Sequence, residues 1–205
     1  KGIRGFVDSL TANIDPLAPH LKSPHPTEPL TATGIRQSLY GLLTQAANMG
    51  YVKADLELFS SAYHAAMTLF AGGFRPCARP FIAHCAGTAS ALVAFGFAPR
   101  IVVAGLLHAA YTHAPLGPQP NHALHELEHQ LRTTFGQRVE GLIRNYTRMQ
   151  IDATAWRAAR PLETLTVDEA EVVAIAIAIS IDECAAGEPG FSAKTPPTAA
   201  WIAYA

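Results

Sequence analysis

Apolar residues recur at helical spacing through most of the chain, and stretches rich in proline or glycine separate the runs. From Thr33, the residues Ile35, Leu39, Leu42, Leu43 and Ala46 fall on one face of a helix that stops at "NMG". A second run from Ala54 to Gly72 repeats the pattern through Leu56, Phe59, Tyr63 and Met67, and the short connection makes the two helices antiparallel. Pro80 suits the first turn of a helix reaching Phe95, "GFAP" breaks it, and Pro99 starts the next one, which reaches Tyr111. After "PLGPQP", Asn121 is the expected N-cap of a helix ending near Phe135, and "GQRVEGLIRNYTRM" continues as another.

The last long run, "TVDEAEVVAIAIAISIDECAAG", carries opposed signals. Alternating Ile and Ala with β-branched enrichment suits a buried strand. Thr166 and Glu169 form a capping-box pattern, the run is long, and no convincing second strand exists to pair with it, so a helix is expected. Before the helices, Gly2 to Asn13 reads as a short amphipathic helix followed by Pro16, Pro19, Pro24, Pro26 and Pro29, which together make an extended arm. After them, the segment from Gly187 is a Gly-, Pro- and Ala-rich tail docked by Trp201. The pattern therefore predicts an all-α, multi-helix domain over 32–187, with a Pro-rich N-terminal arm over 1–31 and a docked C-terminal tail over 188–205.

Composition narrows the function classes. With 205 residues, 49% hydrophobic and 15% charged, the chain can bury one sizeable core. A formal charge of -1 gives no field of the kind that holds nucleic acid or an anionic membrane, so neither is an expected partner. The longest apolar run, Ile101 to Ala110, is far shorter than the roughly 20 residues of a bilayer-spanning helix. Cys77, Cys85 and Cys184 are an odd number without metal-finger spacing, which suits a reducing compartment, and the cytoplasm is expected. No leader is legible, and the initial lysine leaves a processed start open. So weakly charged a chain, rich in alanine and isoleucine, also fits a helix face buried in a homodimer.

The candidate chemistry centres on "AGLLHAAYTHA", which sets His108 and His113 at the end of an apolar run. At 1.5 Å per residue, His84 to Phe95 climbs roughly 17 Å and Pro99 to His108 descends roughly 14 Å, so a tight hairpin brings the two imidazoles level. Such a pair serves either as hydrogen-bonding or acid–base groups, since imidazole titrates near neutrality, or as satisfied core histidines. Arg75, Arg79 and Arg100 are placed to flank this cleft and favour an anion by bidentate pairing. Tyr111, one turn from His108, offers a phenol to the same pocket, while Cys77 and Cys85 read as small core fillers. A rival motif, "HELEH" from His125 to His129, matches the zinc pattern H-E-x-x-H. It opens a helix directly after "GPQPN" with no strand before it, and a solvated first turn with acids near the positive end of the helix dipole is the expectation.

The stretch "RPCARPFIAHCAGTASALVAFGFAPRIVVAGLLHAAYTHA", with "FGQRVEGLIRNYTRM" after it, resembles the HD-domain hydrolase half of the RelA/SpoT-like alarmone enzymes. It is most similar to an HD-like family with an AGLxHxxY signature, and the resemblance spans Ala62 to Glu183. Arg75 stands nine residues before His84, as an arginine does before a metal-binding histidine in those hydrolases, and His108 takes the second histidine's place. The resemblance implies an HD-like fold and a cation held by a histidine, a His-Asp pair and a distant Asp, activating water for attack on phosphorus. Here the pair reads His108-Ala109, "IAISI" puts Ile179 where the last carboxylate should stand, and the following acidic pair falls on Thr112 and His113.

No metal and no cofactor is therefore expected. The expected function is to act on or bind a small phosphate- or carboxylate-bearing metabolite through His84 and His108, with Arg75, Arg79, Tyr111 and His113 as ligand-binding residues. Two alternatives stay open: a catalytically silent descendant that binds a ligand or partner, and a phosphohydrolase whose metal site is rebuilt from Asp182 and His113.

Overall fold

The computed structural model describes residues 34–115, 120–151 and 165–187, and the expected arm, tail and Trp201 dock lie outside them. Helices run over Leu39–Asn48 (α1), Lys53–Leu69 (α2), Phe81–Ala94 (α3), Pro99–Leu107 (α4), Ala110–His113 (α5), Pro120–Phe135 (α6), Gln137–Ile151 (α7) and Val167–Ala185 (α8). No strand forms among the described residues, so the domain is all-α as its periodicity predicts.

The α3–α4 hairpin is the centre of the molecule. Every residue from His84 to Ala94 and from Ile101 to Leu107 is buried, as befits helices that are apolar on all sides. Helix α3 is enclosed by α1, α2, α4 and α8, while α4 also packs on α2, α7 and α8. Two glycines allow these approaches: a Cβ on Gly105 would overlap Leu92 of α3, and one on Gly87 would overlap the Asp182 carboxylate of α8.

The ambiguous last run is a helix. Thr166 Oγ1 accepts from the Glu169 amide at 3.3 Å and the Glu169 carboxylate accepts from the Thr166 amide at 2.8 Å, which completes the capping box. Its alternating Ile and Ala reflect burial on several sides, because α8 meets α3, α4 and α7.

Three boundaries differ from the sequence expectation, two of them through contacts that spacing does not reveal. Helix α1 starts at Leu39, not Thr33: Ser38 caps it by accepting from the Gly41 amide, and the Arg36 amide just upstream donates to buried Ser90 of α3 at 2.8 Å. Helix α4 stops at Leu107, short of Tyr111. The ring Nδ1 of His108 donates to the Gly105 carbonyl at 2.8 Å, an acceptor that a continuing helix would give to the Ala109 amide. Asn121 lies within helix α6, which is described from Pro120, so it is not the cap.

Between α2 and α3 the chain folds into a tight loop. Phe74 bridges Pro80, the Arg75 amide donates to the Arg79 carbonyl at 2.8 Å, and Ala78 takes a left-handed φ of 62°. This closure leaves Arg75 and Arg79 on the loop's two legs, opposite the C-terminal end of α8.

Candidate functional site

The hairpin sets the two imidazoles side by side. The rings of His84 and His108 meet edge to face at 5.1 Å between centroids, and the residues are 1% and 3% exposed. Burial, and then the neighbouring His84, push the His108 pKa down to about 3, so its ring is neutral at neutral pH. With Nδ1–H committed to the Gly105 carbonyl, the lone pair of that neutral ring sits on Nε2. Tyr146 of α7 packs edge-on against His108 at 5.6 Å, and its hydroxyl accepts from Gln150 at 2.9 Å.

His84 has a carboxylate partner. Its Nδ1 lies 2.7 Å from Oδ2 of Asp182, which is wholly buried. Arg79 grips the same carboxylate with both terminal nitrogens, Nη1 to Oδ1 at 3.0 Å and Nη2 to Oδ2 at 2.6 Å. Two donors thus converge on Oδ2, which assigns a proton to Nδ1 of His84. Burial raises the Asp182 pKa above the usual carboxylate range, and the Arg79 guanidinium works against that rise. The carboxylate rests on bare backbone at Gly87, one turn along α3 from His84.

Asp182 corrects the sequence reading. Ile179 was expected at the last carboxylate position of an otherwise stripped cleft; Asp182, nearly one turn further along α8, is the residue that reaches His84. The adjacent Glu183 accepts from Arg75 Nη2 at 2.5 Å. The two arginines assigned to an external anion therefore bond consecutive acids of the chain itself. Breaking such a buried pair on one side costs about 3–5 kcal/mol, because a charge is left uncompensated.

An aromatic layer adjoins this centre. The ring of Phe81 lies 5.6 Å from His84, 6.5 Å from His108, 5.1 Å from Phe70 and 4.7 Å from His113. His113 is exposed, its Nδ1 lies 2.8 Å from Thr112 Oγ1, and burial of part of the ring, then Arg75, lower its pKa. The remaining candidates are engaged elsewhere: Tyr111 donates to the buried Glu140 at 2.8 Å, and Arg100 donates to Glu171 at 2.6 Å. His125 and His129 of the rival motif are exposed on α6, Glu126 accepts from Gln130, and Glu128 pairs with Arg132 and Arg144, a solvated face as expected. Cys85 is buried as a core filler, whereas Cys77 in the loop is only half-buried.

Asp182 and Glu183 carried one sequence signal: an acidic pair ends an apolar run that otherwise holds a charge only near its start, and buried acids need cations. Phe81 and Gly87 carried none. The cation implied by the HD resemblance does not fit this donor set. Both Asp182 oxygens face Arg79, Ala109 replaces an acid, and among the described residues no three His, Cys, Asp or Glu side chains are arranged to hold a metal ion. No protein-family model matches the chain, and no curated protein matches it. Among the described residues, no helix is long and apolar enough to cross a membrane.

Proposed function

We propose that this chain is an HD-like helical protein that acts on a small phosphate- or carboxylate-bearing metabolite, with the His84–Asp182 dyad as a metal-independent acid–base centre. The observation that carries this reading is the 2.7 Å contact between His84 Nδ1 and Asp182 Oδ2 inside the core. A buried carboxylate on Nδ1 holds the imidazole in the tautomer whose Nε2 accepts a proton, and it stabilises the imidazolium so formed. His108 stays neutral beside it, so the new charge meets no like charge on the neighbouring ring. Partly exposed Arg75 and exposed His113 serve as the anion clamp, the ligand exchanging with Glu183 on the guanidinium. Arg79 then serves the dyad and Tyr111 serves Glu140, in place of the ligand roles expected for them.

A thermal-shift screen of phosphate- and carboxylate-bearing metabolites tests this. A ligand at a hundredfold excess over its Kd adds about 2.7 kcal/mol, so at least one should raise the Tm of the wild type and leave His84→Gln unmoved. No shift with any member, or equal shifts in both proteins, would sink the reading. With a ligand in hand, Asp182→Asn should lower turnover by about 10²–10⁴-fold. Binding without turnover would favour the second reading, a catalytically silent binding protein, which the 1% and 3% exposure of the two histidines supports.

A further inference from the structure

Two polar groups of the core keep hydrogen-bonding capacity unspent, and they stand side by side. His108 gives Nδ1–H to the Gly105 carbonyl at 2.8 Å, so its neutral ring has a lone pair on Nε2, and among the described residues nothing donates to it. Tyr146 accepts from Gln150 at 2.9 Å, and among the described residues nothing accepts the proton of its own hydroxyl. The two residues are 3% and 4% exposed, and their rings meet edge to face at 5.6 Å between centroids. A bond left unmade at a buried polar atom costs about 1–3 kcal/mol, so the pair marks a place shaped for a group that the chain itself does not provide. Burial, and then the Glu183 charge, raise the Tyr146 pKa, so the phenol stays protonated and has its hydrogen to donate. A carboxylate or phosphate oxygen would satisfy Tyr146 but face the lone pair of His108, and an ammonium would do the reverse. A hydroxyl serves both, donating to Nε2 and accepting from the phenol.

An anion site adjoins the pair. After burial and the neighbouring imidazole, Arg75 is among the charges that lower the His108 pKa, and it opposes burial and Glu183 at Tyr146, so one guanidinium lies near both groups. Its side chain is 18% exposed, which leaves it open to a ligand. We propose that His108 Nε2 and the Tyr146 hydroxyl are the two halves of a hydroxyl-binding site beside Arg75, and that the metabolite is a hydroxylated anion, a hydroxy acid or a sugar phosphate. This rests on the proposed function for its anion and names the class of molecule that carries it. Tyr146 becomes a ligand-binding residue that no motif in the sequence marked, and His108 a residue that selects for the hydroxyl.

Calorimetric titration of the full chain with matched probes tests this: lactate against propionate, glycerol phosphate against propyl phosphate, and ribose phosphate against deoxyribose phosphate. The wild type should bind at least one hydroxylated member about tenfold or more tighter than its partner. Tyr146→Phe and His108→Asn should each bring that ratio close to one, while Arg75→Gln weakens both members alike. Ligand-free Tyr146→Phe should melt no lower than the wild type, since it removes a donor that bonds nothing and the exposed Gln150 amide turns to water. A lower Tm for that variant, the mark of a hydroxyl that only holds structural water, overturns the proposal. So do binding of none of the probes, equal affinities within every pair, and a preference that survives both variants. If the wild type binds only anions that lack a hydroxyl, this proposal fails and the dyad reading stands. If a hydroxylated probe binds His84→Gln as tightly as the wild type, the dyad reading fails and the hydroxyl site stands.

Discussion

Gly87 and Asp182 occupy one another's space: the carboxylate oxygen fills the volume that any Cβ at position 87 would need. The neighbours cannot yield cheaply, since the same carboxylate is tied to Arg79 and His84. Gly87→Ala should therefore destabilise by about 1–3 kcal/mol, as overpacking does, and the ¹⁵N shifts of the His84 ring should change with it. Gly141 in α7 is the control, because nothing lies within 4 Å of a Cβ built there. Gly141→Ala should stabilise by about 0.5–1 kcal/mol through helix propensity alone. Denaturant midpoints measured at constant m separate the two, and equal signs would refute the packing assignment of Gly87. Neither glycine is distinguishable by sequence, since both sit within helical patterns and only the neighbour decides.

Helix α8 is fastened at both ends by different means. Its start is local: Thr166 and Glu169 satisfy amides within the same turn. Its end is long-range, with Asp182 and Glu183 bonded to the loop arginines across more than a hundred residues of chain. Thr166→Ala should cost about 1 kcal/mol and leave ligand binding unchanged, since it touches only the cap; a change in His84 ring shifts would contradict that separation. The same division explains which boundaries were legible. The hairpin of α3 and α4 follows from Pro80, "GFAP" and Pro99, and its arithmetic of rise correctly levels His84 with His108. The start of α1 and the end of α4 were misread because the Ser90 hydroxyl and the His108 ring capture backbone groups that no periodicity reports.

For the molecule as a whole, a neutral histidine in the core makes stability depend on pH. In the unfolded chain His108 titrates near its ordinary value of about 6.5, and in the fold near about 3, so between those values the unfolded state binds more protons. Stability then rises with pH across this window and is lost on acidification, with a slope of up to about 1.4 kcal/mol per pH unit. Asp182 acts in the opposite sense: its raised pKa gives stability at low pH that is lost as pH rises through the folded-state value. The comparison of wild type with His108→Asn isolates the first effect, since Asn can still donate to the Gly105 carbonyl. The variant should show the flatter rise in urea-denaturation free energy between about pH 4.5 and 6.5; identical slopes would mean that His108 is not held neutral in the fold.

From residue order alone follow the helices, the capping box of α8, the hairpin and the pairing of His84 with His108. Each depends on spacing within one segment or across one tight turn, where backbone geometry leaves little choice. Which acid meets His84 is another matter. Asp182 is 98 residues away, and its arrival depends on how closely α8 can lie on α3 and on which loop brings a guanidinium to neutralise it. Burying a charge is favourable only where its partners converge, and that convergence exists only once the helices have packed.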